Sequence, residues 1–210
     1  MSDHDLTPAP SRQALWDQRH AAQDPIESTE PDPTLVDEIG SLRPGRALDL
    51  GAGDGRNAIW LAERGWKVTA VDFSQVALER GRSRATESGV EVEWQLADLL
   101  DWSPDARLYD LVTLFFLHLP GTERRAVYAR AADAVAPGGT LLIVAHDRAN
   151  LAGGVGGPQD PDVLVSPGEV AAELTGFRVD RAETARRGSP GGRGPIDAIV
   201  RAVRVAPVHV

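Results

Sequence analysis

Between Ala47 and Ala62 the chain passes from an apolar run, through three glycines at alternate positions, into a helical pattern. Ala47-Leu48-Asp49-Leu50 reads as a buried parallel strand. Gly51-Ala52-Gly53-Asp54-Gly55 reads as a tight turn, and Asn57 to Glu63 as a helix that stops at Arg64-Gly65. Glycines let the backbone turn sharply and approach a ligand with no Cβ in the way. The helix start adds unpaired N–H groups. Gly51, Ala52, Gly53, Arg56 and Asn57 are therefore expected to line a ligand. About 20 residues on, Asp72 ends the strand Lys67–Val71, where an acid can grip ribose hydroxyls. The spacing differs from a dinucleotide fingerprint, because Arg56 fills the third glycine position and Asp49 aims a carboxylate into the turn. That charge repels a pyrophosphate and attracts an amino group. The ligand implied carries a ribose and an ammonium, with little or no phosphate.

Strand and helix signals alternate downstream, which predicts a Rossmann-like, doubly wound α/β sheet with helices on both faces. Seven strands are expected: the one at Ala47–Leu50, then 67–71, 90–96, 109–116, 140–146, 177–185 and 196–205. The last two are joined by a glycine-proline connection without a helix, so they should pair antiparallel as a C-terminal hairpin on a mostly parallel sheet. Ser74 is the expected N-cap of a helix over 75–85. Phe73, beside the ribose acid, either packs on a base or belongs to the core. A helix over 122–136 is expected to be capped by Thr122, with Arg124 and Arg125 facing solvent. The chain divides into a tail (1–11), a helical cap (12–45), in which Leu35, Val36 and Ile39 share a buried face, and a ligand-binding domain (46–210). Residues 147–167, rich in glycine, form a loop long enough to be a lid.

The 210-residue chain has a formal charge of −9, which argues against a protein that coats nucleic-acid phosphates. It has no cysteine, so thiolate nucleophiles, disulfides and zinc–thiolate sites are excluded. No apolar run is long enough to span a bilayer, and the polar N-terminus is unlike a signal peptide. Cytoplasmic residence is the expectation, as monomer or homodimer.

The stretch Asp49-x-Gly51-x-Gly53-x-Gly55 resembles the first motif of class I S-adenosylmethionine-dependent methyltransferases. Further likenesses follow in order: Trp16-Asp17-Gln18-Arg19 resembles an opening common ahead of their first strand, and Pro137-Gly138-Gly139 their usual helix-to-strand break. The likeness covers about residues 12 to 205 and points to compact small-molecule enzymes of the tellurite-resistance and thiopurine type. It implies S-adenosyl-L-methionine as cofactor, with S-adenosyl-L-homocysteine as product. It also implies that Asp98 accepts from the adenine amine and that Ala97 and Leu99 flank the ring. Trp16 and Arg19 would then fold over the cofactor, Arg19 either meeting its carboxylate or remaining a surface residue.

Ligands in open α/β sheets sit outside the carboxyl ends of strands, so Phe115 to His118 should reach the methyl group. In-line transfer to an O, N or S acceptor in a desolvated pocket needs mainly positioning. A base is required only if the acceptor is protonated at neutral pH. His118 and His146, both at strand ends, are the candidates, with His118 slightly preferred. No metal is expected. The acceptor should be a small molecule and not a nucleic acid. The rival readings are an NAD-dependent oxidoreductase and a non-catalytic S-adenosylmethionine-binding regulator.

Overall fold

The computed structural model describes residues 29–188 and 193–206, together with Gln13, Asp17 and Gln18. Helix α1 (Pro33–Ile39) precedes strand β1 (Arg46–Leu50), helix α2 (Arg56–Glu63), strand β2 (Lys67–Asp72) and helix α3 (Gln75–Glu87). Strands β3 (Glu93–Leu96) and β4 (Tyr109–Phe115), helix α4 (Gly121–Ala134) and strand β5 (Val135–His146) follow. The short helices α5 (Asn150–Gly153) and α6 (Pro167–Glu173) lead to β6 (Phe177–Arg186) and β7 (Ile196–Arg204).

One seven-stranded sheet results, in the order β3-β2-β1-β4-β5-β7-β6. The first five strands are parallel; β7 runs antiparallel to β5, and β6 antiparallel to β7. Strand periodicity of two divides the apolar residues between two cores. Leu48, Leu50, Val112, Leu114, Leu141 and Ile143 pack on one face with Val127, Tyr128 and Ala131 of α4. Ala47, Val68, Ala70, Leu111, Leu142 and Val144 pack on the other with Leu35, Trp60 and Leu61. The central strands therefore read as nearly unbroken apolar runs, as strands covered on both faces must.

Several local expectations are corrected. Residues 90–92 stay outside β3: the Val90 N–H donates to the Ala85 carbonyl at the end of α3 (3.0 Å), and pairing with β2 begins only at Thr69↔Glu93. Strand β5 begins at Val135, so Pro137-Gly138-Gly139 lies within it and is not a break. The register jumps there from Tyr109↔Val135 to Leu111↔Thr140, with Gly138 at φ 80° absorbing the irregularity. Helix α4 starts after Pro120 without a side-chain cap, so Thr122 is not its cap. Arg124 is buried, not solvent-facing: its guanidinium donates to the carbonyls of Asp162 (3.2 Å) and Leu164 (3.4 Å). Val36 is exposed, whereas Leu35 and Ile39 are buried. Ser74 does cap α3, its Oγ accepting from the Ala77 N–H at 3.2 Å.

Residues 147–167 are not structureless. They hold α5, a 3₁₀ turn at Pro161–Val163 and a bridge between Asp147 and Val165. Asn150 ties this segment down, donating to the Gly156 carbonyl (2.8 Å) and accepting from the Ile196 N–H (2.9 Å).

Gly55, the N-cap of α2, has φ 76°, and a Cβ there would lie 2.1 Å from the Trp94 ring. Left-handed backbone and overpacking each cost an L side chain a few kcal/mol at most. Gly55→Ala is expected to lose about 2–4 kcal/mol of stability in denaturant unfolding; a loss under about 0.5 kcal/mol would contradict this packing.

Candidate active site

The sheet order reverses beside β1, whose neighbours are β2 and β4. A crevice at such a switch point is where open α/β sheets bind ligands. Here the carboxyl ends of β1, β2, β4 and β5 surround a cleft of about 1360 Å³. Its floor is the glycine turn, with Gly51, Gly53 and Gly55 at φ 73°, 56° and 76°. The N–H groups of Gly51 and Ala52 donate to the Val71 carbonyl at 2.9 and 3.1 Å. Asp72 fixes the turn from the end of β2. One carboxylate oxygen accepts from the Gly53 N–H and the other from the Ser74 N–H, both at 2.8 Å.

Asp49 lies beneath the turn, 2% exposed. Oδ1 accepts from the Thr113 hydroxyl at 2.7 Å; Oδ2 is buried without a hydrogen-bond partner. Burial, aided by the nearby Asp72 charge, raises its pKa from 3.8 to about 6, against the opposing pull of the Thr113 hydrogen bond and Arg56. A carboxylate held this way is costly until a cation meets it.

The structure brings most of the expected residues together. Asp49, Gly51, Ala52, Gly53, Arg56 and Asn57 line the cleft on one side. Asp72, Phe73, Asp98, Leu99, Phe115, His118 and His146 line the rest. Asn57 also accepts from the Asp32 N–H at 2.9 Å, which anchors α1 to α2. Asp98 is exposed on the rim of the cleft and accepts from the Leu100 N–H at 2.9 Å within a turn that no helix follows. Ser74 and Ala97 do not line the cleft. Ser74 is fully buried and donates to Asp17 at 2.5 Å; the Ala97 N–H donates to the Asp72 carbonyl at 3.0 Å. Trp16 and Arg19 lie outside the described residues.

Three cleft features had no forecast. Phe116 adopts a left-handed φ of 53°, a strained conformation for a non-glycine residue. Arg187 stacks over its ring at 4.5 Å. Arg187 in turn grips the buried Asp197 through two hydrogen bonds of 2.6 and 3.0 Å. An acid among the apolar residues of β7 was the one available signal for Asp197; nothing marked Arg187.

Residues 47–139 match the family model of a methyltransferase domain. Ribosomal RNA small subunit methyltransferase C of Alcanivorax borkumensis is 31% identical over 148 residues, 67% of this chain and 42% of that protein. The 2-heptyl-1-hydroxyquinolin-4(1H)-one methyltransferase of Mycobacteroides abscessus is 28% identical over 143 residues, 66% of this chain and 63% of that one. The chain thus spans about half the length of the curated relatives it matches. Among solved structures, N-methyltransferase NodS of Bradyrhizobium japonicum WM9 with S-adenosyl-L-homocysteine superposes with TM-score 0.69 and 19% identity, covering 92% of this chain and 99% of that one. The sheet, the glycine turn and these matches define a class I S-adenosylmethionine-dependent methyltransferase fold. Residues 47–139 are thus similar to the methyltransferase-domain family, over somewhat less than half of the chain. Among the described residues, no helix is long and apolar enough to cross a membrane.

The Asp49 charge makes a signed prediction. A raised carboxylate pKa contributes stability that is fully present below about pH 4 and lost as pH rises through about 6. Asp49→Asn should therefore be more stable than the ligand-free wild type above pH 6, by on the order of 3 kcal/mol or less. The gain should vanish near pH 3.5 in denaturant melts across that range. Equal stabilities at pH 8 would show that Asp49 carries no such cost.

Proposed function

We propose that the protein transfers a methyl group from S-adenosyl-L-methionine to a small-molecule acceptor. The observation that carries the reading is the orphaned Oδ2 of Asp49, buried under a glycine turn and matched to an ammonium. A pyrophosphate at this place would meet two acids, Asp49 and Asp72, and the NAD reading is disfavoured for that reason. When bound, the cofactor supplies a methyl on a sulfonium centre, activated for in-line displacement by a nucleophile.

The residues divide the remaining work. Asp49 takes the cofactor's ammonium. Asp72, already oriented by two backbone N–H groups, has further lone pairs for ribose hydroxyls. Phe73, Asp98 and Leu99 border the adenine side, and Phe115 and His118 face the reacting centre. The Asp17–Ser74 contact holds Asp17 beside the turn that follows β2. Residues 147–167 serve as a lid: Gly157 and Pro158 reach the cleft, while Asn150 and Arg124 pin the segment around them.

The net charge of −9 offers nucleic acid no general attraction, which supports a small acceptor despite the RNA-modifying relative. The hydroxyquinolone relative makes 2-heptyl-1-hydroxyquinolin-4(1H)-one the first acceptor to try.

Calorimetry is expected to show binding of S-adenosyl-L-homocysteine and none of NAD. Asp72→Ala should weaken the former by roughly 10- to 100-fold, as loss of charge-assisted hydrogen bonds does. Unchanged affinity would remove Asp72 from the ribose. Binding with no turnover of any acceptor in a broad screen would favour a non-catalytic regulator.

A further inference from the structure

Beyond the glycine turn, the far wall of the cleft is built where β4 and β5 end and β7 begins. His146 closes β5 and Asp197 is the second residue of β7, and the antiparallel register sets them directly opposite each other. Directly opposed residues point to the same face of a sheet, within contact distance. His146 Nδ1 lies 3.3 Å from Asp197 Oδ1, a long and poorly aligned approach that leaves this buried nitrogen with no hydrogen bond. Such contacts commonly tighten once a ligand closes the site. The Asp197 carboxylate is held still by the two hydrogen bonds from Arg187.

The imidazole is enclosed on its other sides. Phe116 lies 5.1 Å from it, centroid to centroid, and His118 stacks at 5.5 Å with planes 18° apart. Gly157 of the lid segment passes so close that a Cβ there would sit 3.1 Å from His146 Nδ1 and Cε1. Among the described residues Nε2 has no hydrogen-bond partner, and it is not enclosed as Nδ1 is, so it is the nitrogen left to face the cleft that His146 lines. His118 Nε2, in contrast, is buried.

We propose that Asp197 positions His146 as the general base of the acceptor site, and that the acceptor is a flat ring bearing a hydroxyl protonated at neutral pH. This rests on the methyltransferase reading and adds the acceptor's chemistry to it. A carboxylate accepting from Nδ1–H fixes the neutral tautomer with its lone pair on Nε2. The acceptor's O–H bond breaks as Nε2–H forms, and the electron pair stays on oxygen as the nucleophile. Asp197 stabilises the resulting imidazolium, whose proton then passes to water through the open cleft. A thiolate or carboxylate acceptor would need none of this apparatus. The aromatic rings of Phe116 and His118 supply faces against which a flat acceptor packs. Arg187 serves the same end indirectly, fixing both oxygens of Asp197 and, by stacking, the strained Phe116.

The test is ¹⁵N imidazole NMR on the full chain at pH 8 with S-adenosyl-L-homocysteine bound, His146 being assigned by its loss in His146→Gln. The expected result is an Nδ1–H tautomer for His146 that converts to Nε2–H in Asp197→Asn. With 2-heptyl-1-hydroxyquinolin-4(1H)-one as probe acceptor, Asp197→Asn should lower kcat by about 10- to 100-fold. Its KM for S-adenosylmethionine should stay within about twofold of wild type. An Nε2–H tautomer in the wild type overturns the proposal, whether or not Asp197→Asn folds. So does a variant that alters KM but leaves kcat intact. Failure of the wild type to bind S-adenosyl-L-homocysteine would sink the cofactor reading instead, which separates the two.

Discussion

The Asp72 carboxylate fastens the site together. Its two oxygens accept from the N–H groups of Gly53 and Ser74, joining the turn after β1 to the turn after β2. Added to the Gly51 and Ala52 bonds to Val71, this fixes a run of left-handed glycines that would otherwise be the most mobile backbone in the fold. The cleft takes its shape from that clamp. The turn must stand clear of Asp49 for a ligand to reach it, and α2 must start where Gly55 packs against Trp94.

The same arrangement is electrostatically expensive. Two carboxylates, Asp49 and Asp72, are buried near one another, and Asp49 keeps one oxygen unanswered. The Asp72 charge raises the cost of charging Asp49. Phe116 adds backbone strain at the opposite wall. Neither feature helps the empty fold; both make sense if a cationic ligand neutralises the floor and a ring packs against the wall. The large double-sided sheet supplies the stability against which these local costs are set.

Much of this was legible in the chain. The glycine spacing, the acids at 49 and 72 and the alternation of strands and helices are local patterns, and they located the turn, most of the strands and many of the residues that gather around the cleft. What remained hidden depends on contacts between distant segments. Arg124 looks like a surface residue of a helix until the carbonyls of Asp162 and Leu164 arrive beside it. The start of β5 depends on a register jump against β4, and that of β3 on where its pairing with β2 begins. The pairing of His146 with Asp197 follows from the β5–β7 register, which no local pattern encodes. The slight preference for His118 rests on strand ends alone, where both histidines qualify; the proposal of His146 rests on its pairing with Asp197.

The most direct test of the account is proton release on cofactor-analogue binding. Titrating S-adenosyl-L-homocysteine into the protein at pH 6, in buffers of different ionisation enthalpy, measures the protons exchanged. Because Asp49 is about half protonated there and an ammonium beside it favours the charged form, the account predicts release of roughly half a proton, falling toward zero at pH 8. Abolition of that release in Asp49→Asn would assign it. Binding without proton release at pH 6, or with proton uptake, would contradict the claim that Asp49 receives the ligand's positive charge.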